Sequence, residues 1–380
     1  MSFHWFRARA LAIQSKRSHH IHLNSYIAGG NSLTRSKMAD EYPKFKAAAI
    51  QTSSVFLNRE KTTEKACELI GQAASKGAEI IVFPECFIPT HPYWFHFMTS
   101  DEGQRRFYFD LFKNSVEIPS PSTEKLCKAA LEADSYVIIG VAEKDPFSMG
   151  TLYNTQLFID NNGTLMGKHR KIAPTTWEKL VHTSGDGSTL QVFNTKFGAI
   201  GGLICGEHTM SLARFALLAM GEKIHAASWP AFPLETQRFH KEAANLRNRY
   251  HAFEGKVFVI SASACFDDGM IEMICTEDQR KLIANAGGFS SIIGPDGRYI
   301  AGPSEKGEDI VYADIDMERI ISAKAVQDVL GHYSRPDIFT LLVNRKKVSL
   351  MDISNDEERT GSEIDESLAK DSANLAQEAW

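Results

Sequence analysis

Short apolar runs and stretches of helical spacing alternate along most of the chain. Apolar runs of strand length predict strands at 46–50, 79–83, 136–141, 153–159, 189–193, 197–204, 257–262, 289–293 and 309–315. Apolar residues recur at helical spacing in 58–75, 101–116, 121–133, 209–220 and 235–254. Many strands with helices between them indicate an α/β protein, with helices outside a large sheet or a pair of sheets.

The two ends of the chain differ in composition from the middle. Residues 1–38 hold six Lys and Arg and no acidic residue, whereas residues 352–380 hold nine acidic residues and two basic ones. The middle has no internal repeat and no Pro-rich linker. We therefore expect one folded domain between an unstructured basic extension over residues 1–43 and a flexible acidic tail over residues 344–380.

The basic extension admits three interpretations. Its Arg- and Ser-rich, acid-free composition suits an organellar transit peptide, and it suits a plain unstructured extension as well. Met38 could instead be the true start of the protein. We expect no secretory signal, because the only apolar run of the extension, residues 10–13, is too short. A cytoplasmic protein is expected, or an organellar one if the transit interpretation holds.

Charge and composition narrow the class of protein. The formal net charge is -5 over 380 residues, which does not favour nucleic-acid binding through a basic surface. No run of 18 apolar residues is present, so no membrane span is predicted. The six cysteines form no CxxC pair, which favours reduced thiols in a cytosol-like compartment.

Cys205 is the first candidate for chemistry. It stands between the apolar run 198–204 and a helical stretch, so the pattern predicts a strand, a tight turn and a helix. Such an elbow exposes a side chain near helix N–H groups, which lower the pKa of a thiol and stabilise negative charge. A buried structural cysteine is the alternative. Cys265 is the second candidate nucleophile, and Cys67 is expected in the core.

Two charged positions could assist a thiol. Glu85 follows the predicted strand 79–83 through Pro84, at the end of a strand where α/β proteins place ligands. A poorly solvated carboxylate there could take the proton of a thiol, although an exposed loop glutamate is the alternative. The basic run 168–171 is either solvated or turns one lysine inward. Glu178 follows Lys171 by seven residues.

The order Glu85, Lys171, Cys205 resembles the Glu-Lys-Cys triad of the nitrilase (carbon-nitrogen hydrolase) superfamily. Five segments carry the resemblance in order, namely 83–94, 168–178, 185–187, 203–207 and 331–337. The last of them resembles true nitrilases rather than the amidase branches. The resemblance covers about residues 44–343, and it includes neither terminal extension.

This resemblance implies a four-layer α-β-β-α sandwich, no cofactor, no metal, and homo-oligomers that range from dimers to larger spirals. It implies that Cys205 is the nucleophile, Glu85 the general base and Lys171 the stabiliser of negative charge. Glu178 matches a second glutamate that orients substrate or water. The implied reaction converts a small aliphatic or arylaliphatic nitrile to a carboxylic acid and ammonia through a thioimidate and a thioester.

Two residues of the third motif depart from the commonest pattern. Many nitrilases have Trp after the cysteine and Asn after the following Glu, where this chain has Gly206 and His208. Gly206 suggests a wider pocket. His208 puts the substrate preference in doubt, and its side chain could either donate a proton or have a packing role. Both residues are predicted to contact substrate.

Aromatic residues are the other candidates for substrate contact. Tyr93 and Trp94 belong to an aromatic stretch that could line the pocket, form a subunit contact or pack in the core. Trp177 and Trp229 are predicted pocket walls. A neutral nitrile needs no charged recognition surface, which agrees with the modest net charge.

Four alternatives to a nitrilase remain. An amidase of the same superfamily shares the thioester half of the chemistry, so the triad does not distinguish it. An inactive oligomeric scaffold would have no need of three such residues in order. A Cys-His hydrolase would pair Cys205 with His208. A dinucleotide site is weakly supported, because Gly198, Gly201 and Gly202 do not form GxGxxG.

Overall fold

The computed structural model describes residues 40–97, 100–232, 234–283 and 288–349. Nearly all of the predicted extension, residues 1–39, and most of the predicted tail, residues 350–380, lie outside the described residues. The helices are α1 (Arg59–Ser75), α2 (Asp101–Asn114), α3 (Pro121–Glu132), α4 (Ser211–Ala219), α5 (Leu234–Gly255), α6 (Asp268–Ile274), α7 (Glu277–Ile283) and α8 (Glu318–Lys324).

The strands form two six-stranded sheets. They are β1 (Lys44–Gln51), β2 (Ala78–Val82), β3 (Tyr136–Lys144), β4 (Leu152–Ile159), β5 (Leu165–Arg170), β6 (Phe193–Thr195), β7 (Gly198–Ile204), β8 (Ile224–Trp229), β9 (Phe258–Ser263), β10 (Ser291–Ile293), β11 (Tyr299–Ala301) and β12 (Asp309–Asp316). The first sheet has the order β12-β1-β2-β3-β4-β5, and the second has the order β11-β10-β9-β8-β7-β6. Each sheet has three parallel central strands, β1-β2-β3 and β7-β8-β9, with antiparallel strands outside them.

A continuous apolar core lies between the two sheets. Its members come from alternate positions of strands in both sheets, as expected for side chains that share one face. They include Ala47, Ile80, Ile138, Phe158, Ile200, Ala226, Phe258, Ile260 and Ile292.

Helices cover the outer faces of both sheets. Ile70 of α1 and Leu126 of α3 pack with the outer residues of the first sheet. Leu217 of α4 packs with Leu203, and Ala252 of α5 packs with Val259. The order helix, sheet, sheet, helix confirms the predicted four-layer α/β sandwich. No helix among the described residues is long and apolar enough to cross a membrane.

The apolar pattern failed at four strands, one of which is the short strand β11, for which no strand was predicted. The predicted strand at 189–193 is wrong, because a 3-10 turn and a loop precede the short strand β6. Strand β5 was missed because its sequence is polar, yet Lys168 and Arg170 both pair with the buried Glu143. Strand β8 was missed although all six of its residues are buried.

Candidate active site

Glu85 is placed by the turn that follows β2. Its backbone N–H donates to the carbonyl oxygen of Trp229 at 3.3 Å, which ties the first sheet to the end of β8. Gly140 of β3 makes room for this turn, since a Cβ there would lie 2.3 Å from the carbonyl oxygen of Pro84. The Glu85 side chain is buried, so the alternative of an exposed loop glutamate is wrong.

Lys171 directly follows β5 and turns inward. Its backbone N–H donates to the carbonyl oxygen of Asn154 at 2.8 Å, which extends the pairing of β5 with β4. Its Nζ lies 2.8 Å from Oε1 of Glu85 and 2.5 Å from Oε2 of Glu178. The lysine is 1% exposed, so the basic run is not simply solvated. One ammonium therefore joins two carboxylates that are distant in sequence.

Glu178 is held by a short 3-10 helix over Thr176–Leu180. Its Oε2 accepts the backbone N–H of Thr175 at 3.0 Å, and its Oε1 contacts Nδ1 of His182 at 3.2 Å. His182 lies four residues after Glu178, so one turn of chain is enough to pair them. This spacing could have been read from the sequence, but His182 was not among the predicted site residues.

Asn154 is a site residue that the sequence did not single out. Its Nδ2 donates to Oε1 of Glu85 at 2.6 Å and to Oε1 of Glu178 at 2.7 Å. The available signal was three consecutive polar residues, 154–156, within a strand that is otherwise apolar. All three are buried, which means that each must find a partner inside the protein.

Cys205 stands at the turn between β7 and a 3-10 helix over Cys205–Thr209. Its φ is 49°, in the left-handed region that a residue with a side chain rarely adopts. Glu207 holds the turn, because its carboxylate accepts the backbone N–H groups of Ile204 at 2.8 Å and Ile172 at 2.5 Å. Strand, strained turn and helix are the elbow that the pattern predicts.

The charged side chains of the site shift one another's pKa values. Burial raises the pKa of Glu85 to about 7, with Lys171 opposing the shift and Glu178 adding to it. Burial also opposes ionisation of Glu178, but Lys171 and His182 hold the pKa of Glu178 well below its usual value. The two carboxylates in turn hold the pKa of Lys171 well above its usual value, despite its burial. Lys171 thus stays charged, Glu178 stays ionised, and Glu85 titrates near neutrality.

The thiol of Cys205 feels the same carboxylates. Burial and Glu85 raise its pKa, and Lys171 acts in the opposite direction. Its resting state is therefore a thiol, and any attack by its sulfur would need a group that takes its proton. In this group of side chains, Glu85 has a pKa near neutrality.

The predicted aromatic contacts lie in different surroundings. Trp94 is fully buried and stacks on Phe107 at 5.5 Å between ring centroids, which is a core position. The Tyr93 hydroxyl accepts the backbone N–H of Ala231 at 2.9 Å. Trp177 is 56% exposed, one residue before Glu178.

The remaining predicted contacts cluster around the elbow. Trp229 is buried and stacks on His208 at 4.8 Å. A Cβ at Gly206 would lie 2.5 Å from Oγ1 of Thr175, so the chain of the elbow passes close to the segment before Glu178. Gly206 therefore has a steric role here besides any effect on pocket width.

The geometry rejects a Cys-His pair. Nδ1 of His208 contacts the carbonyl oxygen of Cys205 at 2.8 Å, and Nε2 contacts Nε2 of His225 at 2.9 Å. Both ring nitrogens are engaged away from the thiol. Cys265 is buried too, and its charged neighbours are Glu308 and Lys65 rather than the paired carboxylates.

Glu85, His91 and Glu178 each offer a ligand atom, all within 4.8 Å of one another, and could hold a metal ion. The ammonium of Lys171 already bridges the two carboxylates and supplies positive charge between them. Among the described residues, Glu222, His225 and His251 form the other group of this kind.

Comparison with known proteins shows the family of the chain. Residues 46–325 match the family model described as "Carbon-nitrogen hydrolase". The chain is 42% identical to "Nitrilase" of Bacillus sp. (strain OxB-1), over 80% of this chain and 89% of the relative. It is 39% identical to "Aliphatic nitrilase" of Rhodococcus rhodochrous, over 80% of this chain and 83% of the relative.

Two solved structures share the fold. One is a carbon-nitrogen hydrolase from Helicobacter pylori G27, with a TM-score of 0.63 and 21% identity over 78% of this chain and 97% of the other. Another is a Saccharomyces cerevisiae protein of branch 10 of the nitrilase superfamily, with a TM-score of 0.60 and 24% identity over 76% and 96% of the two chains. The chain belongs to the carbon-nitrogen hydrolase family. It is a hydrolase that acts on a small molecule.

Proposed function

We propose that the chain hydrolyses a small aliphatic or arylaliphatic nitrile to a carboxylic acid and ammonia. The observation that carries the proposal is the buried group of Glu85, Lys171 and Glu178 that acts electrostatically on the elbow cysteine Cys205. The relatives named nitrilase and aliphatic nitrilase support the substrate class.

The first half of the reaction forms a covalent intermediate. Glu85 takes the proton of Cys205 as the sulfur adds to the nitrile carbon, and Glu85 then passes this proton to the nitrile nitrogen to give a thioimidate. Lys171 stabilises the negative charge that develops on the nitrogen. A buried ammonium is effective here, because little water screens its charge.

The second half consumes two water molecules. Glu85 takes a proton from the first water as its oxygen adds to the thioimidate carbon, and passes this proton to the nitrogen. Ammonia leaves as the new hydroxyl group gives its proton to the nitrogen and becomes the thioester carbonyl. The resulting thioester is cleaved by a second water, which releases the acid and restores the thiol. If sulfur leaves the tetrahedral species instead of ammonia, the product is an amide.

The experiment compares ammonia release from a panel of aliphatic, arylacetic and aromatic nitriles with release from the matching amides. We expect release from nitriles that greatly exceeds release from amides, and a loss of at least about a thousandfold in Cys205→Ala. Release from amides alone would place the chain in an amidase branch. Substantial turnover by Cys205→Ala would contradict the mechanism. A protein that releases no ammonia from any nitrile or amide, with its oligomer intact, would favour a scaffold.

We also propose that the working form is a homo-oligomer. Exposed apolar side chains, among them Leu212 of α4 and Leu246 of α5, each 68% exposed, support a contact surface on these helices. Sedimentation velocity should show a species larger than one chain, and a monomer at micromolar concentration would contradict this proposal.

A further inference from the structure

A hydrogen-bonded chain of buried polar side chains runs from the elbow to Glu222, which lies two residues before β8. Nδ1 of His208 contacts the carbonyl oxygen of Cys205 at 2.8 Å, and Nε2 of His208 contacts Nε2 of His225 at 2.9 Å. Nδ1 of His225 then contacts Oε1 of Glu222 at 2.7 Å. His208, His225 and the Glu222 carboxylate are all buried.

The neighbouring elements are shaped around this chain. A Cβ at Gly201 of β7 would lie 2.3 Å from Oε1 of Glu222, so the strand leaves room for the carboxylate. Trp229 stacks on the ring of His208, and Arg214 of α4 donates to the carbonyl oxygen of His208 at 2.7 Å. The first contact holds the imidazole ring of His208, and the second holds its backbone.

A branch leaves the chain at its far end. Nε2 of His251, on α5, contacts Oε2 of Glu222 at 2.8 Å. His251 is fully buried like His225, but its bond is to the far oxygen of the carboxylate. Arg214 also acts electrostatically on His208 and His225, and its guanidinium pairs with Glu254 at 3.4 Å.

The directions of these bonds follow from the acceptors at the two ends. The Cys205 carbonyl can only accept, so Nδ1 of His208 carries a hydrogen. The Glu222 carboxylate lies at the other end and is held by two imidazoles. Nε2 of His208 and Nε2 of His225 would repel each other if both presented lone pairs, so one proton lies between them.

The hydrogen-bonded side chains of His208, His225 and Glu222 therefore hold one proton more than two neutral imidazoles and one carboxylate would. Burial lowers the pKa of His225, and Glu222 opposes that effect. The nitrogen–nitrogen contact at 2.9 Å is attractive only with a proton present, so the geometry places this proton on the hydrogen-bonded pair of His225 and Glu222. His208 is then neutral, with its hydrogen on Nδ1.

We propose that Glu222 and His225 are positioning residues for the nucleophile. They fix His208 in the tautomer whose Nδ1–H donates to the Cys205 carbonyl, and so hold the backbone of the strained elbow at Cys205. This inference rests on the proposed function of Cys205. A displacement of a reacting group by about 1 Å costs roughly a hundredfold in rate, so a loosened elbow lowers kcat more than it changes KM.

The test compares His225→Asn with His251→Asn, a matched control. Both substitutions remove a buried imidazole that contacts Glu222, at 2.7 Å and 2.8 Å respectively. We expect similar losses of thermal stability. We expect kcat to fall roughly 10- to 100-fold in His225→Asn with KM within about threefold, and kcat to stay within about threefold in His251→Asn. Equal losses of kcat in the two variants would overturn the proposal.

A second comparison uses His208 itself and does not need the His225 variant to fold. His208→Leu removes the donor to Cys205, whereas the amide of His208→Asn can still donate to that carbonyl. We expect the leucine variant to lose kcat as His225→Asn does, and the asparagine variant to recover most of it. Equal kcat in the two His208 variants would overturn the proposal.

A double substitution tests whether His208 and His225 act through one hydrogen-bonded path or independently of each other. Adding His225→Asn to His208→Leu should not lower kcat further, because the chain is already cut. Losses that multiply would contradict a shared path.

If wild type turns over no nitrile, the proposed function fails first, and the same variants are then compared by the rate at which iodoacetamide alkylates Cys205. A rate that falls in His225→Asn but not in His251→Asn supports the positioning role, and equal rates oppose it.

Discussion

Nδ2 of Asn154 lies 2.6 Å from Oε1 of Glu85, and both side chains are buried. The same nitrogen lies 2.7 Å from Oε1 of Glu178. One neutral amide thus holds two carboxylates in place beside Lys171 without adding charge. The arrangement lets Lys171 stay between the carboxylates while Glu85 titrates near neutrality.

Asn154→Leu should raise the pKa of Glu85 above about 7, because a donor to its ionised form is lost. A base must be ionised to act, so the acidic limb of the pH profile of kcat/KM should move to higher pH. A shift of about one unit corresponds to a charged hydrogen bond of roughly 1.4 kcal/mol. Gln156→Leu, in the same strand, is the control, since Gln156 bonds Ser228 and should leave the limb in place.

Glu178→Gln should move the acidic limb in the opposite direction. The negative charge of Glu178 raises the pKa of Glu85, so its removal lowers that pKa and frees Lys171 to favour the ionised base. The limb should therefore extend to lower pH even though the maximal rate falls. The pH profile of kcat/KM measures both effects, and an unmoved limb would mean that Glu85 is not the titrating base.

Lys171→Met should destabilise the protein as well as abolish turnover. The substitution leaves Glu85 and Glu178 buried without their cation, and breaking a buried pair from one side costs about 3–5 kcal/mol. Lys168→Met is the matched control, because Lys168 is partly exposed and its partner Glu143 keeps Arg170. Urea unfolding should show a loss of less than about 1 kcal/mol there. Similar losses in the two variants would contradict the buried bridge.

Gly206→Ala should disturb the elbow through Thr175. The new Cβ would lie 2.5 Å from Oγ1 of Thr175, whose backbone N–H holds Glu178. Overpacking of this kind costs roughly 1–3 kcal/mol, and kcat should fall as Glu178 shifts. Adding Thr175→Ala removes the clashing hydroxyl and should restore most of the loss in both unfolding and rate measurements. A double variant no better than Gly206→Ala would show that Thr175 is not the obstacle.

Much of the architecture was readable from the apolar pattern. Helix α1 begins at Arg59, directly after the cap Asn58, where a helical pattern over 58–75 was expected. Strands β2 and β7 also lie within one or two residues of their predicted bounds. Helix α1 is predictable because the spacing of its buried face is local, and β2 and β7 are predictable because each is a short run in which most residues are buried.

Strands with buried polar residues were not predictable in this way. Strand β5 is polar because its side chains pair across the sheet, with Lys168 and Arg170 on Glu143. In β8, His225 is buried because Glu222 and His208 partner it. The partners come from other elements, so a pattern confined to one segment does not show that such residues are inside.

The sequence by itself determined which residues could carry the chemistry, since the order Glu85, Lys171, Cys205 and the motifs around it are linear features. Only the tertiary structure decided that Glu85 and Lys171 touch, 86 positions apart, and that Asn154 and His182 support the carboxylates. It also decided that His208 faces away from the thiol. The physical reason is that burial and long-range contacts set the charge states of these groups, and both arise only when the two sheets pack together.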